Sequence, residues 1–138
     1  MNMVDRQKLV QYRIQRARET LNEVELHIEN ELWSTAVNRL YYACYYAVIA
    51  LLIDKEIQPQ THSGVRQMFG LHFVKPGKID SSIGKFFSDI YDLRQTGDYD
   101  DFISFDRETV LDLINPANEL ITTIENIISG CTPKQISG

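Results

Sequence analysis

Apolar residues recur at the helical period along most of this chain. Val10, Ile14, Ala17, Leu21, Val24 and Ile28 are spaced 4, 3, 4, 3 and 4 apart. That lays one apolar stripe along a helix from about Val4 to Asn30. A second helix is expected from Trp33 to Lys55, with Ser34 or Thr35 as its cap and Pro59 closing the segment. Fourteen consecutive residues within it, Leu40 to Ile53, carry no charge. A helix apolar on every side must be enclosed on every side, so this one belongs at the centre of a bundle. "QTHSGVRQMFGLHF" predicts a short third helix, capped by Thr61 or Ser63, with Val65, Met68 and Phe69 as its apolar face. "VKPGKIDSS" reads as a turn around Pro76 and Gly77. From Asp80 or Ser81 a fourth helix carries Ile83, Phe86, Phe87, Ile90 and Leu93 and ends near Thr96. The acid-rich "GDYDDFISF" reads as a loop. A fifth helix, about Asp106 to Ser129, buries Val110, Leu113, Ala117, Leu120, Ile124 and Ile127 and stops at Gly130. Pro116 removes a backbone donor inside it and should kink or split it. No segment has the period of a strand. The expected fold is all-α: an up-and-down four-helix bundle with one additional short helix, in a single domain over residues 1–138.

Composition narrows the class. The chain has 138 residues, 43% of them hydrophobic and 24% charged, with a net charge of −5. A domain of this size buries enough surface to need no disulfide staple. The acidic balance disfavours non-specific nucleic-acid binding, so a phosphate contact requires a local basic patch. Such a patch is offered by the first helix, where Arg6, Lys8, Arg13, Arg16 and Arg18 precede Glu19, Glu23, Glu25, Glu29 and Glu31. That order opposes the helix dipole; a solvated face with salt bridges to neighbouring helices is the plainer account of it. Cys44 and Cys131 form no spaced framework, which points to a reducing cytoplasm. The first twenty residues lack the apolar core of a signal peptide, and the fourteen-residue run is shorter than a membrane span, so no membrane partner is expected.

Several chemistries have no motif. No glycine-rich phosphate loop is present. His27, His62 and His72 have no metal-ligand spacing, so no metal or other cofactor is expected. Asp98, Asp100 and Asp101 read as a solvated loop more than as a Mg²⁺ site. Cys44 reads as an inert buried thiol.

The central helix carries one polar seam. Tyr42 and Tyr46 follow Arg39 by three and seven residues, on one helical face. Tyr41 and Tyr45 share another. A buried guanidinium must meet an anion or several acceptors, and a buried phenol seeks a partner. Arg39 is therefore part of an internal salt bridge or an anion site. Asp98, Glu23 and Glu25 are candidate partners, and Arg94 could pair with Asp98 four residues on.

Three ordered stretches, "AVNRLYYACYYAVIALL", "THSGVRQMFGLHFV" and "YDLRQTGDYDDF", resemble the HEPN-domain proteins of bacteria and archaea. The resemblance runs from about Ala17 to Ile127. It implies a helical bundle that commonly dimerises and is often encoded beside a small nucleotidyltransferase, with which it acts as a toxin–antitoxin type pair. Many such proteins are metal-independent ribonucleases, with an arginine and a histidine along the central helix. Arg39 falls on that arginine. With six residues between, the histidine position falls on Tyr46. Histidine titrates near neutrality and moves protons in RNA cleavage; an ordinary phenol titrates near 10. His62, at a helix start in "THSG", could substitute or could simply cap and pack. His72 reads as a loop residue.

The expected function is a homodimeric binding module for a nucleotide, an RNA phosphate or a protein segment. Asn38, Arg39, Tyr42, Tyr46, Arg94, Asp98 and Tyr99 are its candidate binding residues, and a minimal nucleotidyltransferase is its expected partner. One alternative is a ribonuclease toxin with Arg39, Tyr46 and His62 as catalytic residues. The other is a purely structural regulatory subunit.

Overall fold

The computed structural model describes residues 1–99 and 105–130, without the side chains of residues 97–99. Five α-helices make up the described chain: α1 Met3–Glu29, α2 Trp33–Asp54, α3 His62–Phe69, α4 Ser81–Tyr99 and α5 Arg107–Ser129. No strand occurs among the described residues. The all-α bundle expected from the pattern is the fold.

Helix α2 is its axis. It packs on each of the other four helices, α1 most extensively. Eleven of its residues are buried, from Ala36 to Leu52. Ala36, Ala43, Ala47 and Ala50 are fully covered. Small side chains at these positions let neighbouring helices approach, and Leu40, Leu51 and Leu52 fill the space between. By length and composition α2 could also cross a membrane, with 61% of its most apolar window buried within the bundle.

Local chemistry sets most helix ends. Asn2, Thr61 and Asp106 accept the backbone N–H three residues on and start α1, α3 and α5. Gly130 ends α5 in the left-handed conformation. The expected cap at Ser34 or Thr35 does not form: α2 starts from Leu32 with no side-chain cap bond. Leu32 is instead committed to the end of α1, where its N–H donates to His27 O at 2.8 Å while Glu31 N–H donates to Ile28 O at 3.0 Å. This doubly bonded turn puts Glu31 at φ 58°. The end of α2 repeats it: Ile57 bonds Leu52, Glu56 bonds Ile53, and Glu56 has φ 60°.

Two other expectations change, and a third is narrowed. Residues 70–74 form a π-helical turn, with Lys75 N–H donating to Gly70 O at 2.8 Å. Helix α4 continues to Tyr99 rather than ending near Thr96, so residues 97–99 of the expected loop are helical. Pro116 does not split α5. The carbonyl it deprives of a donor belongs to exposed Asp112, where water can serve it, and buried Val110, Ala117 and Leu120 hold the helix on both sides.

Arg18 ties α1 to α5. It forms an ion pair with Glu125 and donates to Asn118 Oδ1 at 2.6 Å and Thr122 Oγ1 at 2.9 Å. Helices α3 and α4 meet α2 at its tyrosines, His62 at Tyr41 and Arg94 at Tyr42.

Candidate functional site

The polar seam is a half-buried stripe of α2 that includes Asn38, Arg39, Tyr42, Tyr45, Tyr46, Ile49 and Ile53. Positions 38, 42, 45 and 49 recur at helical spacing, so one flank of the central helix lacks full cover.

Arg39 meets no carboxylate among the described residues. Its Nε and Nη2 both donate to Asn38 Oδ1, at 3.2 and 2.8 Å. Its guanidinium carbon lies 5.2 Å from the centre of the Tyr42 ring, within range of a cation–π contact. The expected partners Glu23 and Glu25 are both exposed on α1, and Glu25 lines a groove against α5 instead. The side chains of Asp98 and Tyr99 lie outside the described residues, as do Asp100 and Asp101, so the Asp98 pairing with Arg39 or Arg94 lies outside them too.

Three other helices bring residues to this face. From α4, Arg94 Nη2 donates to the Tyr42 hydroxyl at 3.1 Å, and its guanidinium lies 5.3 Å from that ring and 5.5 Å from Tyr41. From α3, His62 stacks on Tyr45, with ring centres 4.5 Å apart and planes within 11°. Its Nδ1 is 3.1 Å from the buried Tyr41 hydroxyl. From α1, Arg16 lies 5.7 Å from the Tyr46 ring and donates to Glu19 at 3.1 Å. Half-buried Arg13 has an Nε without a hydrogen-bond partner.

The electrostatics follow from this crowding. Burial, then the Arg94 charge, lowers the pKa of His62 from that of a free imidazole. The histidine is therefore neutral at pH 7. Burial, then the neighbouring Tyr45 and Tyr42, raises the Tyr41 pKa. Burial likewise raises Tyr45, although nearby Arg13 opposes it. These two phenols stay protonated at neutral pH and can donate hydrogen bonds. Cys44 is fully buried, and burial raises its thiol far above the ordinary range. It is an inert core residue.

The structure thus brings together Asn38, Arg39, Tyr42, Tyr46, Arg94 and His62. Exposed His72 sits apart, within the π-helical turn rather than a loop. No group of three or more metal-ligating side chains occurs among the described residues. Arg13 and Arg16 are the additions. Their signal was the basic first half of α1; what was missing was its register against Tyr45 and Tyr46.

A bundle whose central helix presents one arginine and clustered tyrosines, with further guanidinium groups from α1 and α4 beside those rings, defines a class: a helical module with a cationic, aromatic face. The chain belongs to the HEPN domain family, whose pattern matches residues 10–127. It is 40% identical over 126 residues to a UPF0332 protein of Thermotoga maritima, covering 91% of this chain and 96% of that one. Two Methanocaldococcus jannaschii proteins are also similar. One is named "Putative toxin MJ0142", 39% identical over 95 residues, or 69% of this chain and 65% of that one. The other is named "Putative toxin MJ0605", 40% identical over 90 residues, or 65% and 67%.

Proposed function

We propose that this chain is a toxin-type HEPN module whose α2 face binds a phosphate group of a nucleotide or RNA. It works as a homodimer and with a small nucleotidyltransferase as its protein partner. One observation carries the phosphate reading: Arg39 is held by a neutral amide, and no carboxylate among the described residues neutralises it. Arginine suits phosphate through its bidentate fork, and a tyrosine face can stack on a base. Similarity to proteins named as toxins supports the biological setting. The half-buried stripe from Tyr42 to Ile53 supports association through α2, because an apolar flank of that length gains from a partner.

The direct test is binding of a short oligouridylate, followed by fluorescence anisotropy. Arg39→Ala should abolish it while leaving the helical signal intact. Equal binding by Arg39→Ala and the parent chain would refute the site. Light scattering at micromolar concentration should return the mass of a dimer.

A ribonuclease reading draws on His62. It is neutral at pH 7 and lies 6.1 Å, centre to centre, from Tyr42, on the same face as Arg39. A neutral imidazole there could accept a proton. The two readings separate on the parent chain and two variants. If His62 serves as base, His62→Gln abolishes RNA cleavage. If the chain only binds, the parent cleaves nothing, and Tyr46→His introduces cleavage by restoring the family's histidine.

A further inference from the structure

A guanidinium can grip a phosphate by either of two edges: a side edge of Nε with Nη2, or an end edge of Nη1 with Nη2. In Arg39 the side edge is already engaged, because Nε and Nη2 converge on Asn38 Oδ1. The Tyr42 ring flanks the same group. Of the five N–H donors of an arginine, those left to a ligand are the pair on Nη1 and the outer one on Nη2.

We infer that Asn38 is a positioning residue rather than a ligand contact: it clamps the side edge of Arg39 and leaves the end edge as a preformed fork for two oxygens of one phosphate. This rests on the phosphate-binding reading and fixes the direction from which the ligand arrives. The amide suits the task for an electrostatic reason. A carboxylate at position 38 would hold the fork as firmly, but it would neutralise the charge and compete with the incoming anion. The neutral amide orders the long side chain without that competition. Adjacent residues on a helix do not normally face each other, so the contact is made by the arginine chain folding back. The entropy of ordering that chain is then lost in the free protein rather than on binding. A lysine at position 39 could not be held this way, because an ammonium has no second edge.

The test uses the full chain and two probes, uridine 5′-monophosphate and a short oligouridylate, with binding followed by anisotropy or calorimetry. Asn38→Asp should keep or raise the melting temperature yet weaken binding by about tenfold or more, through charge neutralisation. Asn38→Ala should weaken it by about threefold, through lost order alone. Tighter binding of the oligouridylate than of the mononucleotide assigns the fork to a phosphodiester; the reverse assigns it to a terminal phosphate. Undiminished binding by Asn38→Asp overturns the positioning role and leaves the phosphate site standing. Failure of the parent chain to bind either probe overturns both. A second readout needs no ligand. The Arg39 Nε–H resonance should be protected from solvent exchange in the parent and in Asn38→Asp, and lose that protection in Asn38→Ala. An unprotected resonance in the parent chain refutes the clamp.

Discussion

Gly84 of α4 lies against Val74 of the π-helical turn, and it allows a prediction whose sign depends on a neighbour. A β-carbon built on Gly84 would lie 2.7 and 2.8 Å from the two methyl carbons of Val74. Carbon atoms prefer roughly 3.5–4.0 Å, so the new methyl would intrude by about 1 Å. Valine cannot swing aside easily, because branching at its β-carbon restricts χ1. Overpacking of this kind costs about 1–3 kcal/mol. Alanine is also a better helix former than glycine by about 1 kcal/mol. In the parent chain the clash prevails, and Gly84→Ala should destabilise by about 1 kcal/mol. In a Val74→Ala background both offending methyls are gone. The same substitution should then stabilise by up to about 1 kcal/mol. The check is a double-mutant cycle from urea unfolding, read by far-ultraviolet circular dichroism at one fixed protein concentration, since a dimer's apparent stability depends on it. A coupling of about 1–3 kcal/mol is expected. If Gly84→Ala has the same effect in both backgrounds, the packing argument is wrong. The result bears on the site as well, because this contact joins the segment that follows α3, the helix of His62, to α4, the helix of Arg94.

Three further outcomes follow from named features. Glu31→Gly should stabilise by about 0.5–1 kcal/mol, seen as a rise of a few degrees in melting temperature, because a left-handed conformation strains any residue with a β-carbon. Among the described residues Glu31 forms no ion pair that the change would sacrifice, whereas Glu56→Gly should gain less, since Glu56 accepts from Arg6 at 3.0 Å. Tyr41→Phe should cost about 1 kcal/mol by deleting the hydroxyl that meets His62 Nδ1; an unchanged urea midpoint would contradict that. Finally, the lowered pKa of His62 links stability to pH. Near pH 6.5 and just below, the unfolded chain holds a proton on this histidine that the native chain refuses, so stability rises with pH in that window. The contribution is complete above the unfolded pKa and is lost as pH falls toward the native one. His62→Gln should flatten urea midpoints measured between about pH 5 and 7, and an unaltered slope would show that His62 is not the group responsible.

What could be read in advance depended on how far each feature reaches along the chain. The long helices were legible because a helix with one buried face must repeat its apolar residues every three or four positions. Thr61 and Gly130 were legible because capping is settled within four residues. The start of α2 was not: Leu32 is fixed by the end of α1, a constraint from the preceding helix that outweighs the preference of Ser34 or Thr35. The π-helical turn has no comparable local signal, and its Val74 packs on α4.

The same distinction divides the site. Arg39, Tyr42 and Tyr46 could be placed on one face because they share a helix, and helix geometry alone relates them. Nothing in their spacing could bring His62 onto Tyr45, Arg94 onto Tyr42 or Arg16 onto Tyr46, since those meetings depend on the register of α2 against three different neighbours. Asn38 is the most instructive case. It adjoins Arg39 in sequence, where helix geometry normally turns side chains about 100° apart, so sequence spacing gave no reason to join them. What joins them is the length of the arginine chain, which reaches back to the Asn38 amide oxygen. Arg39 turns back to the nearest neutral oxygen because no described carboxylate competes for it. An arginine held by a neutral amide, with no carboxylate on it among the described residues, in a chain of net charge −5, is the physical reason to propose that this flank receives an anion from outside.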